Sequence, residues 1–459
     1  MRSCHFWGAA LVCALAAVSN PAWSLNVFEA WQAAQAQDPR IRAARATRDA
    51  TQERLPQARS QLLPNLSANV SRNKNNVDLQ SENVLGMASN THDIYFSYNQ
   101  TVQLRQPIYR KPLWAGVRQA EFMVQDAQAI LEYENQELAV RVVNAYMDAL
   151  LAQDTLALTQ KRRDVTQTQL DAAQKSVVAG SGTRTDVDEV KARLDMAAAE
   201  VISARQQVEL ARRQLEILIG QPATTLAAVD VANLPLTSLV PDDIQAWVTQ
   251  AEQNSPEIRA LHARVDSARA EIDKARSAHY PTLDAVAAVG RSGSENINSP
   301  DSSNTNRMIG LQLNVPLYSG GYTQSAVRQA IAEEVRAGEN LEAARRDLAV
   351  RVHREFRGVT EGIHKIRALQ QAEASGQQLV ESSRRSWEAG FRTMLDVLTA
   401  EQQLQSVQRD LAEARYHYLA ARVRLQSLTG GDMEHMLREM SGWMVEETVL
   451  STEKTSHGQ

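Results

Sequence analysis

Cysteine is almost absent. The 459 residues hold two, Cys4 and Cys13. Both lie in an N-terminal stretch that reads as an export signal. Arg2 supplies its positive charge, Phe6 to Val18 its apolar run, and Ala22-Trp23-Ser24 a small-x-small cleavage site. The mature chain is expected to begin near Leu25, with no disulfide, no thiolate nucleophile and no cysteine metal site. Cys13 follows Leu11-Val12 inside the apolar run, which argues against a lipid-anchored cysteine. Past the signal no run reaches the ~20 apolar residues of a membrane helix. Aromatics are 5% of residues and mean hydropathy is −0.38. That is lean for one large core and suits long helices burying narrow seams. A basic excess is missing too. The net charge is −5, and one unit more negative without Arg2, which argues against nucleic acid as a partner. The nine histidines show no HExxH spacing, and no GxxxxGK[ST] phosphate loop occurs. Carboxylates lie among Arg and Gln on helical faces. Neither an enzyme nor a bound cofactor or metal is indicated.

What is present is a long internal repeat. Asp38-Pro39-Arg40-Ile41-Arg42-Ala43 returns as Ser255-Pro256-Glu257-Ile258-Arg259-Ala260, and Pro64 returns as Pro281, 217 positions on. Val117-Arg118-Gln119-Ala120 matches Val327-Arg328-Gln329-Ala330, and Leu138-Ala139-Val140-Arg141-Val142 matches Leu348-Ala349-Val350-Arg351-Val352, at an offset of 210. Ala179-Gly180 and Gly220 match Ala389-Gly390 and Gly430 at the same offset. A loop between the two sets therefore differs by seven residues. The period far exceeds the roughly 20–50 residues of solenoid units. It marks a duplicated half-protein.

Each half predicts the same order: short helix, strand, polar loop, strand, very long helix, glycine break, shorter helix. From Val117 to Ala179 there is neither Gly nor Pro, enough for a helix of about 95 Å at ~1.5 Å per residue. No proline follows Pro316, and Gly338, Gly358, Gly362 and Gly376 interrupt the second long helix without ending it. The shorter helices carry heptads: Val187, Leu194, Val201, Val208, Leu215 in one half and Val397, Leu404, Leu411, Tyr418, Leu425 in the other. A strict seven-residue repeat predicts coiled-coil packing, with the Gly180-Ser181-Gly182 and Gly390 breaks as hairpin turns.

The strands alternate with period two. Leu66, Ala68, Val70 and then Ile94, Phe96, Tyr98, Val102, Leu104 point one way in the first half. Leu283, Ala285, Ala287, Val289 and Ile309, Leu311, Leu313, Val315 follow in the second. Such runs suit strands crossing an outer membrane, or a small soluble sheet packed on helices. Four strands cannot close a barrel, and open edges do not survive in lipid. Several chains would have to pool their strands. Arg72–His92 and Arg291–Asn306, rich in Asn, Ser and Gly, read as exposed loops.

The expected layout is a signal over 1–24, a first repeat over 25–232, a linker over 233–242 and a second repeat over 243–430. Strands are placed at about 64–73, 93–106, 281–290 and 307–316, and helices at about 108–180, 183–220, 318–389 and 391–429. A tail over 431–459 loses pattern and is expected to be disordered at its end.

Asp38-Pro39-Arg40-Ile41, Leu62-Leu63-Pro64, Tyr280-Pro281-Thr282-Leu283, Val315-Pro316-Leu317-Tyr318-Ser319-Gly320-Gly321 and Ala389-Gly390-Phe391-Arg392-Thr393-Met394-Leu395-Asp396-Val397-Leu398 occur in that order. With them the chain resembles the outer-membrane efflux and secretion duct (TolC) family over about Asn26 to Gly431. The resemblance implies a mainly helical protein with a small β part. It implies a homotrimer in the outer membrane of a Gram-negative bacterium. Three chains would build a twelve-stranded barrel continued by an α-helical tunnel across the periplasm. It implies no catalysis, outer-membrane lipid around the barrel, and an inner-membrane pump of ABC, RND or MFS type reached through a periplasmic adaptor.

The resemblance also implies a periplasmic gate. Its residues here are Thr185 and Asp186 at the first hairpin tip, and Trp387 and Arg392 at the second, with Trp387 standing where the family's best-known member has a tyrosine. Asp396 falls at an acidic entrance ring, and Thr399 replaces a second ring acid, which weakens the expected cation selectivity. Helix capping explains some of these residues equally well, since Thr183-x-x-Asp186 and Thr393-x-x-Asp396 are both capping boxes after a glycine turn. Arg392 also reads as a solvated surface arginine, and Trp387 as a hairpin plug. Tyr95, Phe96, Tyr98, Tyr109, Tyr318 and Tyr322 lie near strand ends and suit either an interfacial girdle or the strand-to-helix joint. The rival reading is a periplasmic coiled-coil adaptor or spacer without a pore.

Overall fold

The computed structural model describes residues 24–445 except 83–85, 87, 181, 232 and 297–298. The expected signal up to Trp23, with both cysteines, and the tail from Thr452 lie outside the described residues. The first half runs α1 (Val27–Gln37), α2 (Pro39–Gln52), α3 (Arg54–Ser60), β1 (Asn65–Glu82), β2 (Ala88–Tyr109), α4 (Lys111–Val178) and α5 (Arg184–Ile219). After β3 (Ala228–Val229) the second half repeats the plan: α6 (Ile244–Asn254), α7 (Pro256–Ser277), β4 (Thr282–Asn296), β5 (Ser299–Asn314), α8 (Tyr322–Glu388) and α9 (Met394–Leu428). Then come α10 (Met433–Ser441) and β6 (Met444–Val445).

The 68 residues of α4 and 67 of α8 make rods of about 100 Å each at ~1.5 Å per residue. Each folds back on its shorter partner, α4 on α5 and α8 on α9, and α4 lies against α9. The buried face of α5 is narrow and alanine-rich: Val190, Ala197, Val201, Ala204, Ala211 and Leu215. α9 keeps such a seam through Val397, Ala400, Leu411 and Ala414, but its second half is buried on most sides, with Tyr416, Tyr418, Leu419, Ala420, Ala421, Val423 and Leu425 all enclosed. Three of the α8 glycines mark where the helices come closest. A Cβ on Gly358 would meet Ala421 at 3.2 Å, one on Gly362 would meet Tyr418 at 3.5 Å, and one on Gly376 would meet Leu404 at 3.1 Å. Their cost in helix propensity is set against close packing.

Halfway along the rods, α1, α10 and the β3–β6 pair pack around α4, α5 and α9 as the largest apolar cluster. The segment after Gly431 therefore does not lose its structure at once. Met433, Met436, Leu437 and Met440 form one buried face of α10. Two wholly buried tyrosines tie this belt to the rods. Tyr146 Oη donates to the carbonyls of Leu25 (2.7 Å) and Ala227 (2.9 Å), and Tyr418 Oη to that of Pro235 (2.6 Å).

The duplication keeps an ion pair while moving its acid. Arg141 Nη1 donates to Asp38 at 3.1 Å, where Asp38 also caps α2 through the amides of Arg40 and Ile41. Its mate Arg351 pairs with Glu257, two positions past Ser255, the mate of Asp38. Glu137 stands near both arginines. Burial pushes its carboxyl above the usual range, Glu134 and Glu257 add to this, and Arg351 and Arg141 oppose it. A carboxyl raised on folding binds protons better in the native state. Its contribution is full below the unfolded glutamate range and is lost as pH rises through the raised value. Glu137→Gln is expected to melt higher than the parent at pH 7 and equally at pH 4, measured by thermal denaturation.

Gly430 ends α9 with φ +69°, and a Cβ there would sit 2.4 Å from the carbonyl oxygen of Asn254. Its mate Gly220 (φ +70°) would meet only the Gln37 side chain, at 3.0 Å. Gly430→Ala is expected to destabilise by about 3 kcal/mol or more, and Gly220→Ala by about 1 kcal/mol, read from denaturation midpoints.

The strands form one antiparallel sheet in the order β1-β2-β4-β5, with β1 and β5 at its edges. They are longer than the alternation suggests. Most of Arg72–His92 and Arg291–Asn306, expected as loops, is strand. The ladder needs only backbone N–H and C=O groups, so Asn- and Ser-rich stretches pair as well as apolar ones. The two hairpins differ in height. β4 pairs with β2 no further than Ser97↔Ser294, whereas β2 continues alone with β1 to Ala88. One face carries Leu66, Ala68, Val70, Val102, Leu104, Ala287, Val289, Ile309 and Leu311, and it is bare. Ile309 is 88% exposed and Val70 75%. The other face is mostly Asn, Ser, Thr and Gln.

Candidate functional site at the helical tips

Both hairpins turn through a left-handed glycine and restart on a capping box. In the first, Gly180 has φ +76°, and the amides of Gly180 and Gly182 donate to the carbonyls of Val177 and Ser176. Thr183 then caps α5. Its hydroxyl accepts from the Asp186 amide at 3.2 Å, and its own amide and hydroxyl donate to Asp186 Oδ2 at 3.1 and 2.7 Å. The second tip repeats this with Gly390 (φ +78°), Thr393 and Asp396, whose Oδ2 accepts from the Thr393 amide (3.0 Å) and hydroxyl (2.8 Å). The Thr393 hydroxyl, then its amide, hold the Asp396 carboxyl below the usual range, and Arg392 adds to this. Capping and an entrance role are compatible in geometry. At each tip both bonds fall on Oδ2, so the cap does not use Oδ1.

The expected gate residues do not all meet within one chain. Thr185 is exposed on the first turn of α5. Arg392 is exposed, and the bond it makes is to Ser383 Oγ at 3.4 Å. Trp387 is half-buried with Val187, Leu194, Leu170, Val190, Met394, Val397 and Leu398. That cluster joins all four long helices just above the tips. Thr399 returns its hydroxyl to the Leu395 carbonyl at 2.8 Å and adds no charge.

One buried polar tie between the hairpins carries no mark in the sequence. Glu401 Oε2 accepts from Gln169 Nε2 of α4 at 2.7 Å, and its Oε1 accepts from Arg384 of α8 at 3.1 Å. Glu401 is largely buried and Gln169 buried. Their 232-residue separation leaves no spacing to read.

At the other end of the rods Asp284, 3% exposed, lies on the polar face of the sheet. It accepts from Arg105 Nε (3.1 Å) and Nη2 (2.6 Å) and from Arg110 Nε (2.7 Å) and Nη2 (2.5 Å). Near this joint Tyr318 and Tyr322 are 87% and 75% exposed, so neither packs it. Among the described residues no group of acids and histidines is placed to hold a metal ion.

The profile of the outer membrane efflux protein family matches residues 30–221 and 247–431. The chain belongs to the outer membrane efflux protein family. It is 31% identical over 448 residues to the proteases secretion protein PrtF of Dickeya chrysanthemi, covering 96% of each chain. It is 33% identical to the alkaline protease secretion protein AprF of Pseudomonas aeruginosa, covering 89% of this chain and 85% of that one. The outer membrane protein TolC of Escherichia coli is 28% identical over 91% of this chain and 84% of its own. Among solved structures, CusC superposes with a TM-score of 0.77 at 16% identity, over 89% of this chain and 93% of that one. VceC of Vibrio cholerae gives 0.75 at 19%, over 89% and 96%. This family member is an outer-membrane exit duct with a large periplasmic part, and the reading as a periplasmic adaptor falls. Its relatives are ducts and secretion proteins, not enzymes.

Proposed function

We propose that three copies of the chain form a passive, gated duct whose tips dock to an inner-membrane pump through a periplasmic adaptor. The supporting observation is a sheet with one bare apolar face and two unpaired edges. β1 and β5 run in opposite directions, so the β5 edge of one copy can continue antiparallel onto the β1 edge of the next. Two copies would give eight strands, a bore that side chains fill. Three give twelve and leave room for water. The gate would be Thr185, Asp186, Trp387 and Arg392, with Asp396 as the entrance ring. PrtF and AprF bear names of protease secretion, which supports a protein cargo.

The test is the mass of the detergent-solubilised assembly together with single-channel current in a planar bilayer. Three copies and small, steady, cation-preferring currents are expected. Large ungated currents would keep the duct and remove the gate. A protein that stays soluble without detergent and fails to insert would remove the duct.

A further inference from the structure

Just beyond the apolar band, on the same outward face and away from the helices, the side chains turn cationic. The register places Ala68, Val102, Val289 and Arg307 in one row across the sheet. The next row holds Val70, Gln100, Arg291 and Thr305, and the one after it Arg72, Tyr98, Gly293 and Ser303. Lys74 stands beside Phe96 in the row beyond. Four cations thus fall in four successive rows, the first three of which hold no acid. The next acid on this face of β1 is Asp78, which pairs with His92. All four cations are exposed, and none has a carboxylate partner among the described residues.

The patch is also shaped. The Arg72 guanidinium lies 5.1 Å over the Phe96 ring. Tyr98 lies flat across Gly293, where a Cβ would come within 2.4 Å of the ring and 2.5 Å of its hydroxyl. Glycine there makes the bed in which the tyrosine rests between Arg72 and Arg291.

Unpaired cations beside lipid call for anions at headgroup depth. Arginine forks match phosphate oxygens two at a time. The end of the band remote from the helices faces the outer leaflet, because the helices lie in the periplasm. We propose that Arg72, Lys74, Arg291 and Arg307, with Tyr98, bind the phosphates of the outer leaflet's phosphorylated glycolipid. This rests on the reading that the apolar face meets lipid.

The test uses the full detergent-purified assembly and purified diphosphorylated lipid A, with dephosphorylated lipid A and phosphatidylglycerol as competitors. Retained lipid is measured by native mass spectrometry, and insertion separately by vesicle flotation. The parent is expected to retain diphosphorylated lipid A about ten-fold better than either competitor. Arg291→Gln with Arg307→Gln, and separately Arg72→Gln with Lys74→Gln, should each lose about ten-fold. Arg409→Gln on α9 should lose nothing. Unchanged retention in both double variants, or equal retention of phosphatidylglycerol, overturns the belt alone. A parent that does not float with vesicles overturns the lipid-facing reading and the belt with it. If one double variant fails to insert, the other decides.

Discussion

Arg392→Ser combined with Asp186→Ala is expected to raise the single-channel conductance several-fold and make the current unsteady. Within one chain these two residues do not touch. Each retains bonding capacity: Asp186 keeps Oδ1 free of its cap, and Arg392 holds only a long bond to Ser383. In a ring of chains the α5 side of one copy would face the α8 side of the next, which would bring an acid to an arginine at each of three joints. An exposed pair contributes up to about 1 kcal/mol, so three lost together shift the closed-to-open equilibrium by roughly 100-fold. Asp186→Ala also removes a helix cap. Thr183→Ala is the control, since it loosens the cap and keeps the charge. If the double variant and Thr183→Ala conduct alike, the gate assignment fails. Trp387→Ala should loosen the tip and lower its stability together, because its ring is part of the apolar cluster of all four long helices.

The second large effect is expected at Asp284. Its carboxylate is enclosed by two guanidiniums, one on β2 and one at the start of α4, so it fastens the first half of the chain to the second at the root of the sheet. Asp284→Asn keeps the shape and leaves two cations side by side. Breaking a buried pair from one end costs about 3 kcal/mol, at the low end of the usual range because Arg105 is partly exposed. The heat-dissociation midpoint of the assembly should fall by several degrees. Arg105→Gln, which leaves Arg110 in place, should cost much less. Equal midpoints for Asp284→Asn and the parent would show that the cluster is dispensable.

Periodic features were legible from sequence, and contacts between distant positions were not. The heptads through Leu215 and Leu425 and the alternation through Leu66 and Leu311 follow from burial on one side of a regular element, and burial writes itself at fixed spacing. The polar upper strands carry no such mark, because their ladder is backbone only. The α10 face of Met433, Met436, Leu437 and Met440 is a single short patch with no repeat to amplify it. Asp284 sits between Leu283 and Ala285 of an alternating run, and its arginine partners lie 174 and 179 positions away. Glu401 and Gln169 were hidden in the same way.

The unequal hairpins also shape what the cell shows to its surroundings. From Ser97 to Ala88 the first hairpin runs past the last β2–β4 pair, about 30 Å along the strand at ~3.3 Å per residue. The second hairpin ends low beside it. In each chain an antibody, a phage or a protease arriving from outside would therefore meet the tall first hairpin before the short second one, so changes confined to the first hairpin would alter what such attackers meet while the sheet beneath it stays as it is.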